Sequence, residues 1–325
     1  METLHALLPV LFVVALFLNL RASFKLGLDW RGMLTTVRFV RDAHARRSEL
    51  PTEETIEREP QAPVFLHLVP AYQEPDIDGT VRALCASRYP HPGLHVVVVT
   101  KEEEERAPHP AMGVSTGELV RRLHETLPPY QQKRLSHLVM TGPGRKAHQL
   151  NWALRPEALR EILGEAYDPA RVFVGVSDAD SIPDPDTYRW MAERELAGDG
   201  SLAYQGITLS LANYDRLDIR GKICAIQQSS IFIRVSIARL INEVKRVRLF
   251  GAFCARFPRL GRVVRPAFEL CFRRSQICLG HNQFVRLDVM QSMGASPRLA
   301  RLKTPPLATR WGRGASSSAP SPWWS

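Results

Sequence analysis

The sequence predicts an α/β fold, a mostly parallel sheet with helices on both faces. Short runs rich in Val, Leu and Phe recur at 64–69 (VFLHLV), 95–99 (HVVVV) and 171–176 (RVFVGV). They are continuous rather than alternating, as strands buried on both faces must be, and stretches of helical length separate them. Each run stops abruptly in polar residues or turn formers. In a parallel sheet the ligand sits beyond the carboxyl ends of the strands. That rule collects Pro70–Glu74, Thr100–Glu102, Gly142–Lys146 and Ser177–Asp180 along one edge.

The N-terminal stretch Leu4–Leu20 contains no Lys, Arg, Asp or Glu, and Arg21, Lys25 and Arg31 follow it. It is at the short end of what spans a bilayer. A secretory signal would place its positive charge first and end at a small-residue cleavage site. Here the charge comes after the run, so the expectation is an uncleaved transmembrane anchor (1–22) rather than a signal peptide or a buried soluble helix. By the positive-inside rule the rest lies in the cytoplasm, at the plasma or inner membrane. A charged helix and the Pro- and Glu-rich stretch Leu50–Pro63 complete a juxtamembrane segment and linker (23–63).

The first strand, Val64–Val69, is followed by a helix through Ser87 and a second strand at His95–Val99. Gly113–Thr126 reads as helical and Leu135–Met140 as the third strand. Arg145–Leu163 reads as one helix, Arg171–Val176 as the fourth strand and Leu202–Thr208 as a fifth. Residues 64–215 thus form one half of the fold.

Residues 216–300 differ in charge. From Arg216 to Arg274 there are fourteen Lys and Arg against Asp218, Glu243 and Glu269, although the whole chain of 325 residues carries a formal +10. Such an excess calls for an anionic partner. Apolar and basic residues are mixed through Ile219–Phe257. A solvated helical face would use the same residues, but an amphipathic helix on the anionic cytoplasmic leaflet accounts better for apolar and basic residues together, given the anchor. No nucleic-acid-binding signature is present, so nucleic acid is not expected as a partner. Five scattered cysteines form no CxxC pair and read as thiols in a reducing compartment.

The chemistry lies at the strand exits. Asp178 and Asp180, two apart where the chain leaves its pleat, are hard oxygen donors suited to Mg²⁺ or Mn²⁺ carrying a substrate diphosphate. A turn and helix start, with Asp184 as a cap, would use the same residue types. Gly142-Pro143-Gly144 before Arg145-Lys146 makes an anion site at a helix start, or else a surface turn. Tyr72 can lie against a planar base, and Glu74 follows it.

These residues carry a resemblance. Val69-Pro70-Ala71-Tyr72-Gln73-Glu74 is similar to the P-A-Y-N-E opening of family 2 glycosyltransferases of GT-A fold, in the membrane-bound cellulose- and hyaluronan-synthase-like branch. Gly144–Asn151 resembles their G-K-A-x-A-L-N helix start, and Ser177–Asp180 their D-x-D. Leu279–Arg286 resembles their acceptor-side G-x-x-x-x-x-R segment, with Gly280, His281 and Asn282 on the acceptor side. The resemblance implies a nucleotide-sugar donor, expected to be a UDP-sugar, and inverting transfer to a glycan or lipid-linked acceptor. It implies that Ala71, Tyr72 and Glu74 hold the nucleoside, Lys146 faces the diphosphate, Asp178 contacts the donor and Asp180 binds the metal.

Two departures stand out. Where the family has D-D after the second strand, this chain has Thr100-Lys101-Glu102, and Glu102 is the expected substitute. The family's T/E-E-D base segment is missing: around Arg301–Leu307 no acid occurs, and after Glu269 the only one is Asp288. The catalytic base is therefore unassigned. The atypical stretch 301–325 is expected to reflect truncation or a shifted reading frame. The alternative to an active transferase is a catalytically incomplete, membrane-tethered sugar-nucleotide-binding protein.

Overall fold

Val96–Val99 shows how the sequence builds the sheet. Successive side chains point to opposite faces, and all four are fully buried, so helices must cover both sides. The computed structural model describes residues 2–108, 113–206, 209, 214–272 and 282–292. Within the helices, side chains are described except at 2–11, 13–15, 235–236, 239–240, 242–248, 265 and 267–272.

In chain order the elements begin with α1 (Glu2–Ala45), α2 (Glu53–Glu57), β1 (Val64–Pro70), α3 (Ile77–Cys85) and β2 (Leu94–Lys101). Then come α4 (Glu102–Arg106), α5 (Thr116–Thr126), α6 (Pro129–Gln132), β3 (Leu135–Met140), α7 (Lys146–Ala153) and α8 (Pro156–Leu163). The chain continues with β4 (Val172–Val176), α9 (Thr187–Leu196), β5 (Ala203–Gln205), α10 (Ile219–Ile231) and α11 (Ala238–Arg256). It closes with α12 (Pro258–Phe272), β6 (Gln283–Arg286) and α13 (Leu287–Ser292). The described residues form two compact units, one from 2–48 with 209 and 214–272, the other from 49–108 and 113–206 with 282–292.

The second unit is a mixed α/β layer structure around a six-stranded sheet of order β3-β2-β1-β4-β6-β5. The first four strands are parallel, and β6 runs antiparallel to both β4 and β5. Phe65, Val69, Val96, Val98 and Phe173 pack with α3, α5 and α9 on one face. Leu66, Leu68, Val97, Val99, Val172 and Val174 pack with α7, α8 and α13 on the other. Gly175 admits this packing on β4, because a Cβ there would lie 2.4 Å from the Phe284 ring and 2.8 Å from His67 Nδ1.

Several elements differ from the sequence expectation. The helix expected at 145–163 is two, because Pro156 has no N–H to donate and forces Arg155 out of helical conformation (φ −67°, ψ 146°). The fifth strand is three residues long and antiparallel, with 207–208 outside the described residues. Strand β6 was not foreseen. Its four residues carry too short a hydrophobic pattern to read as a strand, yet Gln283 and Phe284 pair with Val176 and Gly175.

In the first unit, α1 is one continuous 44-residue helix. It continues without a break through Arg21, Lys25, Asp29 and Arg31. Among the described residues no helix is long and apolar enough to cross a membrane. Most side chains of the expected span, Leu4–Leu20, fall outside those described. Thr36, buried on α1, donates to the Ile233 carbonyl at 2.7 Å, inside a π-helical turn at Phe232–Ile237. Such a turn breaks the regular helical ladder and leaves carbonyls available to outside donors. Cys85, Cys224 and Cys254 are free thiols.

Candidate functional site

β1 and β4 are neighbours, but the chain leaves β1 for β2 and β3 before returning to form β4 on the other side. Their carboxyl ends are therefore a topological switch point, where loops diverge and a crevice opens. An open cleft of about 430 Å³ lies there. Tyr72 and Glu74 line it from the β1 exit, Lys101 from the end of β2, Arg145 and Lys146 from the start of α7, and Asp178 and Asp180 from the β4 exit.

The β4 exit is fixed from below. Ser177 is buried with its hydroxyl 2.8 Å from His67 Nε2, and the opposite ring nitrogen of His67 lies 2.9 Å from the Tyr188 hydroxyl. Burial pushes the His67 imidazole down to about 3, so the ring is neutral near pH 7. Ala179 is buried in the core, and its carbonyl accepts the Thr80 hydroxyl at 2.7 Å. With positions 177 and 179 anchored inward, Asp178 and Asp180 face the cleft.

The β1 exit holds Gln73 in the left-handed region (φ 57°), a conformation that costs a residue with a Cβ about 1–2 kcal/mol. Beyond it, the Glu74 N–H donates to Thr116 Oγ1 at 3.0 Å. The Thr116 hydroxyl in turn donates to the buried carboxylate of Glu104 at 2.6 Å. Burial, then the negative charges of Asp180 and Asp178, hold the Glu74 carboxyl above its ordinary range. Ala71 contributes backbone: its side chain is buried, and its carbonyl accepts Gln149 Nε2 at 2.8 Å. The same Gln149 nitrogen donates to the Val99 carbonyl at 2.7 Å, tying the β1 and β2 exits together.

At the end of β2 the structure brings Lys101 into the cleft, its ammonium 4.2 Å from the centre of the Tyr72 ring. Glu102, the residue expected there, opens α4 and pairs with Arg106 at 2.5 Å; it does not line the cleft. The start of α7 is closed by the Arg145 N–H donating to His148 Nδ1 at 3.2 Å. Gly144 permits this turn, since a Cβ there would lie 2.6 Å from that of His148. Lys146, next along, forms an ion pair with Asp178.

Gly280 and His281 lie outside the described residues, as do 293–325. Asn282 sits at the β4 exit: its N–H donates to the Val176 carbonyl at 2.7 Å, and its carbonyl accepts from Gly206 at 2.7 Å. Asp288 is elsewhere. Its carboxylate is paired with Arg286 at 2.7 and 2.8 Å, and its N–H bonds to the Pro169 carbonyl ahead of β4, at the opposite end of the strand.

Sequence reasoning singled out neither Lys101, Gln149 and His67 nor the Thr116–Glu104 pair. A cation ending an apolar strand and a polar residue three past Lys146 were readable signals. Nothing local announced Thr116, which a long connection brings back under Glu74.

Among the described residues no group of three or more His, Cys, Asp or Glu is placed to hold a metal ion. Asp178 and Asp180 fit Mg²⁺ or Mn²⁺ in another way, since such an ion commonly takes one or two carboxylates and fills its shell with water and substrate phosphate oxygens.

No protein-family model matches the chain, and no curated protein matches it. Among solved structures, the chain is similar to S. aureus TarS 1–349, at 19% identity over 46% of this chain and 39% of that one, with a TM-score of 0.31. It is also similar to the mannosyltransferase PcManGT from Pyrobaculum calidifontis in complex with GDP-Man and Mn²⁺. There the identity is 25% over 58% of this chain and 49% of that one, with a TM-score of 0.33. The chain thus spans less than half the length of either solved chain. Likeness at this level assigns neither fold nor function.

Proposed function

We propose that the chain is a glycosyltransferase of GT-A type that takes a nucleotide-sugar donor and a divalent metal and transfers the sugar with inversion to a glycan or lipid-linked acceptor. One observation carries the reading. An aromatic ring from the β1 exit, a lysine at the start of α7 and two carboxylates from the β4 exit converge on one cleft at the switch point. That set matches the parts of a nucleoside diphosphate: a planar base, two phosphates and the cation that accompanies them.

Tyr72 offers the base an apolar face, and the α7 start offers the diphosphate backbone N–H groups and the Lys146 ammonium. Asp178 and Asp180 would hold Mg²⁺ or Mn²⁺, which when bound offsets the charge on the departing diphosphate. Lys146 would do the same with its ammonium, so the site is built to favour the charge that grows as the glycosidic bond breaks. Asp178 sets the position of Lys146 in the meantime through their ion pair.

Inverting transfer also needs a carboxylate to take the acceptor's proton. The cleft's acids, Glu74, Asp178 and Asp180, sit on the donor side, and Asp288 is paired with Arg286 at the far end of β4. This favours a second reading, a sugar-nucleotide-binding protein without turnover. Nucleotide release measured with Mn²⁺ and candidate donors separates the two. Turnover abolished by Asp180→Ala supports the transferase, and donor binding that persists with no turnover supports the second reading.

We also place the first unit at the cytoplasmic face of a membrane. Phe12, Phe17, Leu20, Phe24, Leu26 and Trp30 on α1 are all exposed, as are Ile219, Ile223 and Val263 beside the basic residues of α10 and α12. Apolar exposure on this scale needs a cover, and an anionic leaflet supplies one for both kinds of residue.

A further inference from the structure

We infer that Glu104 and Thr116 are positioning residues of the cleft, a buried relay that sets where the Glu74 carboxyl meets the donor. The inference rests on the reading of the cleft as a nucleotide-sugar site and adds to it two residues that act through Glu74 without touching the ligand.

Glu74 lines the cleft with Tyr72, and it directly follows Gln73, whose backbone stands in the left-handed region (φ 57°). A residue with a Cβ keeps that conformation only where its surroundings over-determine it. The bond that holds the chain just past the strained residue runs from the Glu74 N–H to Thr116 Oγ1, at 3.0 Å. Releasing it lets Gln73 relax, and the Glu74 side chain moves with the backbone.

The relay has a fixed direction. The Thr116 hydroxyl carries one proton, which it donates to Glu104 Oε1 at 2.6 Å, so toward Glu74 its oxygen can only accept. The Thr116 N–H, the first of α5, donates to the same Oε1 at 2.6 Å. Glu104 is 1% exposed and Thr116 is fully buried, so bulk water does not compete for these bonds.

Helix capping does not account for the acid. Ser115 is the N-cap of α5, its hydroxyl accepting the Glu118 N–H at 3.1 Å. The other carboxylate oxygen of Glu104, Oε2, is buried without a hydrogen-bond partner among the described residues. A buried carboxylate with one bare oxygen carries a desolvation penalty, and a neutral side chain would brace α4 against α5 at a smaller one. What the carboxylate adds is a Thr116 hydroxyl that cannot turn away from the Glu74 N–H.

The test is a double-mutant cycle read as nucleotide affinity, by calorimetric titration of the full chain in Mn²⁺ with whichever of UDP and GDP binds more tightly. Thr116→Val should weaken binding about five- to tenfold, as loss of one positioning hydrogen bond would, and Glu104→Leu should match it. Thr116→Ser keeps the hydroxyl and should retain wild-type affinity, which also controls for folding. In a Glu74→Ala background, Thr116→Val should change affinity by less than about twofold, because the group it positions is gone. An equal loss in both backgrounds, or variants that melt earlier yet bind as wild type does, makes the pair a structural brace and overturns the inference, while the nucleotide site stands. Failure of wild-type protein to bind either nucleotide overturns the nucleotide-sugar reading, and this inference with it.

Discussion

His67 on β1 and Ser177 just beyond β4 share a 2.8 Å hydrogen bond beneath the cleft, so the loop bearing both aspartates is fastened to a ring that must stay neutral. An unfolded histidine titrates near 6.5, whereas burial holds His67 to about 3 and His95 to about 4. Between pH 6.5 and about 4 the unfolded chain therefore binds more protons, and folding stability falls as pH falls. Above 6.5 the contribution is complete. The expected slope is up to about 1.4 kcal/mol per pH unit for each such histidine. Urea midpoints at pH 7.5, 6.5 and 5.5 check this; a midpoint unchanged between 6.5 and 5.5 contradicts it.

Gln149→Ala removes the two side-chain hydrogen bonds that help to tie the β1 and β2 exits. The Val99 carbonyl keeps its bond from the Ala71 N–H, so the expected loss is about 1–3 kcal/mol rather than the sum of two orphaned acceptors. Because Tyr72 and Lys101 stand on those exits, nucleotide affinity should fall as well. Urea denaturation combined with nucleotide titration separates the effects, and a variant that loses stability but binds normally contradicts the positioning role.

Lys146→Ala should behave in the opposite way. Its pair with Asp178 is about half exposed and contributes little to stability, so the melting temperature should hardly move. The donor KM should rise by about tenfold or more, as loss of a charge-assisted phosphate contact requires. An unchanged KM would remove Lys146 from the diphosphate site.

Gly175→Ala tests how tightly the sheet is built behind the site. A methyl group there meets the Phe284 ring and His67 Nδ1 well inside contact distance, and neither can retreat within the packed core. A loss of about 1–3 kcal/mol is expected in the unfolding free energy. A stability equal to wild type would mean that β6 shifts freely on β4.

Membrane association has its own measurement. The chain should float with vesicles containing anionic lipid and much less with neutral ones, and high salt should weaken the anionic binding. Equal recovery in the unbound fraction with every lipid and salt would remove the membrane from the reading.

The parallel half of the fold was legible because burial on both faces leaves a plain mark: Val96–Val99 admits hardly another interpretation. The strand exits followed from the strands, which is why Tyr72, Glu74, Lys146, Asp178 and Asp180 could be named and are now found around one cleft. Glu102 and Lys101 differ by one position at a strand end, where one residue turns the side chain to the other side, and sequence alone does not fix that register. The β5–β6 pair was hidden for another reason: three or four residues carry too little periodicity to declare a strand. Gln73 carried its own weak signal, standing where the resembling motif has Asn, a residue that tolerates the left-handed region better.

The placement of β6 also has a consequence for synthesis. When β4 and β5 leave the ribosome, the strand that joins them is still some eighty residues away, since Gln205 pairs with Gln283. Until then β4 presents one open edge, rich in valine, beside a finished β1. An open apolar edge invites pairing with another nascent chain. Fragments that stop short of Arg286 are accordingly expected in inclusion bodies, whereas those that include it can close the sheet before they meet a neighbour.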